Sequence, residues 1–141
     1  MFFKKSILLG SAIALTTLSF TANAFLHTEN YARQDSTVKI TSNLNICAAM
    51  VPPFKFTPAS VDGVTPGQSN ANSGEIKALC NHDPCVAQIF MNKTCTGSPI
   101  ATATLTGVGT DTHIVTQITM IDTHYDVTGL NTSNVTIRAV K

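Results

Sequence analysis

The stretch ALCNHDPCVAQIFMNKTC, residues 78–95, holds three of the chain's four cysteines, Cys80, Cys85 and Cys95, with His82 and Asp83 between the first two. The architecture turns on whether these side chains staple a small domain, ligate a metal or run a reaction. Asn81-His82-Asp83-Pro84 is strong turn chemistry. Glu75 to Leu79 and Val86 to Met91 flank it as two expected strands, so the segment reads as a hairpin with Cys80 and Cys85 facing each other at its mouth. Facing residues in a hairpin reach the Cα separation of roughly 5.5 Å that a disulfide requires. A Cys85–Cys95 bridge is harder to close. If residues 85–91 are extended, Met91 lies about 20 Å from Cys85, and four residues barely cover the return. The favoured pairing is therefore Cys80–Cys85 with Cys47–Cys95, and the alternative is Cys47–Cys80 with Cys85–Cys95.

The rival to a staple is a metal site built from Cys80, His82, Cys85 and Cys95. Those ligand types suit zinc, but the C-x4-C-x9-C spacing matches no common finger. An even cysteine count in an exported chain reads as disulfides, with no lone thiol left as a nucleophile.

Export is read from the N-terminus, MFFKKSILLGSAIALTTLSFTANAFL. Lys4 and Lys5 form a positive start, Ile7 to Phe20 is mostly apolar, and Ala22-Asn23-Ala24 offers small residues to a signal peptidase. The apolar run is short of the roughly 20 residues needed to span a bilayer. Residues 1–24 are therefore expected to be a secretory signal peptide of bacterial style, with the mature chain beginning at Phe25 and exported to the periplasm or beyond. No cysteine follows the cleavage site to carry a lipoprotein anchor. Without Lys4 and Lys5, seven basic residues face eight acidic ones. This balance excludes a basic stripe for nucleic acid and gives no charge run for membrane attachment.

Residues 25–36, FLHTENYARQDS, are polar and unpatterned and read as a flexible lead-in. Residues 37–141 read as a single β-domain. Val38, Ile40, Leu44 and Ile46 share one parity and indicate one strand or two short ones, stopped by Pro52-Pro53. Phe54-Lys55-Phe56 is a short alternating piece closed by Pro58. Residues 60–74, SVDGVTPGQSNANSG, read as a long exposed loop that tolerates shortening, with Asp62 its only catalytic-type group. Ile100 to Val108, His113 to Ile121 and Asn134 to Val140 read as further strands. Thirteen threonines between Thr94 and Thr136 favour a pleated surface with one wet face. No apolar stripe of helical period stands out. About seven short strands indicate a small, disulfide-braced antiparallel β-sandwich, immunoglobulin-like or a similar Greek key, with a small β-barrel as the alternative. The core is lean: there is no tryptophan, and the aromatics beyond residue 24 are Phe25, Tyr31, Phe54, Phe56, Phe90 and Tyr125.

Two triplets repeat, Asp111-Thr112-His113 and Asp122-Thr123-His124. On a strand, residues i and i+2 share a face, so each Asp can orient its own His, as in a catalytic dyad or behind a metal ligand. Asp111, His113, Asp122, His124 and His82 are the candidate metal ligands. The simpler reading is strand-end turn chemistry, in which Asp and Thr are common. The odd spacing of 11 turns the two histidines to opposite faces of one unbroken strand, so a joint site requires a turn between them. Elsewhere there is no Gly-x-Ser-x-Gly elbow, no glycine-rich phosphate loop and no converging carboxylate pair. Asn-x-Ser/Thr triplets at Asn92, Asn131 and Asn134 read as chance in a bacterial chain.

A strand ending in Cys47, a cysteine 33 residues later at Cys80, and a Thr-rich all-β remainder together resemble chaperone–usher pilins over residues 37–141. The resemblance implies an incomplete immunoglobulin-like sandwich with a disulfide between two early strands. Cys85 and Cys95 are extra to that pattern, and the C-terminal VTIRAVK lacks the penultimate tyrosine common in pilins. The functional expectation is a secreted, non-enzymatic binding, adhesive or structural module. It needs no cofactor, it engages a protein or glycan, and it keeps no membrane insertion after cleavage. The alternative is a small secreted hydrolase or metal-binding protein built on the Asp-Thr-His pairs.

Overall fold

The computed structural model describes residues 25–56 and 63–140. The expected leader, Pro58 and Asp62 lie outside the described residues. The elements in order are β1 (Phe25–Asn30), β2 (Ser36–Ile40), β3 (Ile46–Val51), β4 (Lys55–Phe56), β5 (Val64–Thr65), β6 (Gly67–Asn72), helix α1 (Ser73–Cys80), β7 (Cys85–Phe90), β8 (Ala101–Thr106), β9 (Ile114–Met120), β10 (Tyr125–Thr128) and β11 (Asn134–Ala139). One sheet runs β9-β8-β7-β2-β3 and the other β10-β11-β1-β6, with a two-stranded β4-β5 piece beside them. Pairing is antiparallel throughout, apart from the parallel pair β11–β1.

Alternation places the core between the two sheets. The five-stranded sheet sends Ile40, Ile89, Ala101, Leu105 and Val115 inward, and the four-stranded sheet sends Val127, Val135 and Ile137. Ile76 and Cys80 of α1 join the same cluster. The result is a small disulfide-braced β-sandwich and not a closed barrel, so the barrel alternative falls. Two bridges brace it, Cys47–Cys95 with Cα atoms 5.9 Å apart and Cys80–Cys85 at 5.4 Å. Such bridges fit an oxidising compartment.

Several local expectations are corrected. Glu75 to Leu79 is helix and not strand. The Asn72 side chain accepts from the Glu75 amide at 2.8 Å, and the Glu75 carboxylate accepts from the Asn72 amide at 2.9 Å. This reciprocal box nucleates the first turn. Ile76, Leu79 and Cys80 then fall on one face at i, i+3 and i+4, and the helix ends at Asn81 in the left-handed region, φ 56°. The Cys80–Cys85 bridge therefore ties a helix end to the start of β7 and does not close a hairpin mouth. Cys47 leads to Cys95 in the loop after β7, so neither bridge joins two early strands as the pilin resemblance implies.

Residues 25–36 are no flexible lead-in. Residues 25–30 form β1, paired on one side with β11 and on the other with β6. Residues 60–74 are likewise not one long loop, since β5 and β6 lie within them. Gly67 starts β6 because the chain there runs against the Pro52 carbonyl, where a Cβ would collide. Of the two readings of Val38 to Ile46, the structure has two short strands, β2 ending at Ile40 and β3 beginning at Ile46. Leu44 and Asn45 take positive φ in a turn that leaves Leu44 exposed.

Candidate functional site

The two Asp-Thr-His triplets do not meet. His113 precedes β9 and His124 follows it, so a strand of seven residues separates them. His113 is buried, and its Nδ1 lies 3.0 Å from the Thr110 carbonyl, to which it donates; the ring bonds Thr110 and not Asp111. Asp122 and His124 do pair. The Asp122 Oδ1 accepts from the His124 backbone amide at 2.9 Å and sits 2.8 Å from its Nδ1. The amide first, and the ring second, hold the Asp122 carboxyl below its ordinary pKa. The His124 side chain is 85% exposed, which is the setting of turn chemistry and not of a sheltered base. His82 is exposed in the turn before β7. Among the described residues, no three His, Cys, Asp or Glu side chains come together to hold a metal ion.

The structure gathers a different set of residues. A surface hollow of about 410 Å³ is lined by Tyr31, Phe54 and Tyr125, with Arg33, Gln34 and His124 between them. Backbone bonds from four segments fix its walls. The Tyr31 amide donates to the Ile137 carbonyl at 2.8 Å, and the Phe54 amide donates to the Ala32 carbonyl at 3.2 Å. The Val140 amide donates to the His124 carbonyl at 2.7 Å, next to the Tyr125–Ala139 pair that begins the β10–β11 ladder. A site on such a frame is pre-positioned and does not depend on a free loop.

Cations hold the rings. The Arg138 guanidinium lies 4.3 Å from the Tyr31 ring centroid, and that of Arg33 lies 5.8 Å from the Phe54 ring. Such stacking contributes about 0.5–1 kcal/mol at exposed sites. The Tyr125 hydroxyl donates to Gln34 Oε1 at 3.4 Å, closing the far side. Apolar ring faces thus alternate with a guanidinium, an amide and an imidazole around one concavity. Its residues are scattered along the chain, at 31–34, 54, 124–125 and 139–140, so no window of the sequence displays them together. The one available signal was two tyrosines placed outside the strong apolar alternation.

Compared with family models, curated proteins and solved structures, the chain matches none.

Proposed function

We propose that this chain is an exported, non-enzymatic binding module of an oxidising compartment, and that it holds its partner at the Tyr31–Phe54–Tyr125 hollow. One observation carries the reading: three of the six aromatic residues beyond residue 24 line this single surface concavity. A domain with a lean core gains most from its aromatics when they are buried. Spending half of them on a surface hollow is costly unless they make contact there. Tyrosine and arginine are the residues that dominate binding surfaces, because they bring large rigid contact area with a polar end. The leader pattern of residues 1–24, together with the two bridges, supports the bacterial periplasm or beyond as the place of action.

A glycan fits the chemistry best. The C–H face of a sugar ring packs on an aromatic face, while its hydroxyls need the kind of planar donors and acceptors that Gln34 and Arg33 supply. The volume lies within the roughly 300–1,000 Å³ of ligand clefts, which suits one or two sugar units. The test is an array of immobilised glycans and peptides probed with the oxidised chain from residue 25. Saturable binding to neutral glycans is expected, with a loss of more than about tenfold in the Tyr31→Ala/Tyr125→Ala double variant while its circular dichroism is unchanged. Binding that survives the double variant sinks the reading. A peptide ligand lost in the same variant keeps the hollow and changes the ligand class. The alternative, a small hydrolase or metal-binding protein, rests on the Asp122–His124 contact alone.

A further inference from the structure

The inner faces of the sandwich meet over small side chains. Ala87 of β7 and Ala103 of β8 stand opposite each other in register, in the middle strands of the five-stranded sheet. The four-stranded sheet answers with Thr28, Ser69 and Ala71. On β7 the flanking inward residues Cys85 and Ile89 are buried, and on β8 so are Ala101 and Leu105, whereas Ala87 and Ala103 are only half-buried. Two facing methyl groups cannot fill the roughly 10 Å between stacked sheets. The space they leave is a cavity of about 120 Å³ with an almost wholly apolar wall.

Thr28, Ser36, Ser69 and Thr104 bring hydroxyl side chains to that wall, and one of them is both buried and unpaired. Ser36, the first residue of β2, lines the cavity and is 1% exposed, and its Oγ has no hydrogen-bond partner. Buried hydroxyls in folded proteins are paired in the great majority of cases. A second feature therefore points to the same place as the cavity itself.

We propose that this cavity is a binding site for a small, uncharged, mainly apolar molecule that carries one hydroxyl or carbonyl, and that this group pairs with the Ser36 hydroxyl once that side chain, now turned from the open space, rotates toward it. The size limit follows from the volume. An apolar cavity of about 150 Å³ is known to take up benzene, so a single ring or a short branched chain is the upper bound here. The charge limit follows from the lining, which contains no ionisable side chain to offset a desolvated ion. This site is separate from the aromatic hollow and does not depend on it.

Benzene and phenol are the probes. They are titrated into the isotopically labelled oxidised chain from residue 25 while amide signals and melting temperature are followed. Both probes are expected to shift the amides of Val38, Ala87 and Ala103 saturably and to raise the melting temperature, with phenol binding more tightly. Ser36→Ala should weaken phenol about tenfold, the equivalent of one hydrogen bond, and leave benzene unchanged. Ala103→Leu should abolish both; if that variant does not fold, Ala87→Val serves instead. Absence of saturable shifts, or shifts that survive cavity filling, overturns the proposal. Equal loss of phenol and benzene in Ser36→Ala overturns the assignment of the hydroxyl.

Discussion

The Asn30 side chain donates to the Gln34 carbonyl across 2.8 Å, with no part of Asn30 exposed to solvent. The same amide group reaches the Pro52 carbonyl at 3.2 Å, and its Oδ1 accepts from the Ala32 amide at 2.9 Å. One side chain thus fastens the end of β1, the turn that follows it and the exit of β3. Asn30→Ala strands two carbonyls and an amide, and should lower stability by about 3 kcal/mol in urea denaturation. Asn30→Asp keeps the shape but aims a carboxylate at two carbonyls. Burial and those carbonyls raise the folded pKa of the new carboxyl, so the variant should regain stability relative to wild type as pH falls and lose it as pH rises. Loss of less than about 0.5 kcal/mol in Asn30→Ala would remove the side chain from this role.

The two bridges should differ in accessibility and in effect. Cys47 is exposed, while Cys80 and Cys85 are both buried. Thiol–disulfide exchange needs access to a sulfur, so mild reductant should open Cys47–Cys95 first. Alkylation followed by mass spectrometry reads the order. The two bridges span sequence separations of 48 and 5 residues. By chain entropy, opening the longer loop should cost about 4 kcal/mol, against about 2 for the shorter one. Earlier opening of Cys80–Cys85 would contradict the burial argument.

Asp122 offers a titration that separates backbone from side chain. Its carboxyl is held below the ordinary value, first by the His124 amide and then by the ring. A depressed folded pKa stabilises the fold above the unfolded pKa, and that contribution is lost as pH falls through the folded value. The carboxyl carbon signal should therefore titrate below an ordinary aspartate. In His124→Ala part of the depression should remain, because the backbone amide, its largest single cause, survives the substitution. A return to the ordinary value in that variant would make the imidazole the dominant cause.

The strands that were legible in the sequence are those with apolar residues at every inward position. In β7, Cys85 and Ile89 frame Ala87, and in β9 the buried Val115 follows the entry from His113. β10 escaped because it is only four residues long, whereas two other missed strands, β1 and β6, put small or polar residues inward. The inward positions of β1 are Leu26, Thr28 and Asn30, and those of β6 are Ser69 and Ala71, so hydrophobic alternation is almost absent although the pleat is regular. The same small side chains that hid these strands create the cavity. Helix α1 did carry a local signal. Asn72 with Glu75 three residues on, followed by Ile76, Leu79 and Cys80, is a capping box and an apolar face. At eight residues, the helix is too short for its periodicity to outweigh the reading of the neighbouring turn as a hairpin. Apart from the two tyrosines outside the apolar alternation, the aromatic hollow left no mark on the sequence, because it exists only where the ends of β1, β3, β10 and β11 converge.

Deleting Gln68 to Ser73 tests that account of β6. Read as loop, the segment should be dispensable, since shortening a loop changes closure entropy by only about 0.6 kcal/mol per twofold change in length. In the structure the segment pairs with five of the six residues of β1, from Phe25 opposite Asn72 to Glu29 opposite Gln68. Its removal exposes one edge of β1, uncovers the inner face at Ser69 and Ala71, and takes away the Asn72 cap of α1. The cap alone is worth about 1 kcal/mol, which Asn72→Ala measures separately. Joined to the loss of a five-residue ladder, the total should exceed about 3 kcal/mol, equivalent to a fall of about 10 °C or more in melting temperature. Calorimetry of the deletion variant, with both disulfides verified, reads this directly. A melting temperature within a few degrees of wild type would show that β1 is held by β11 alone.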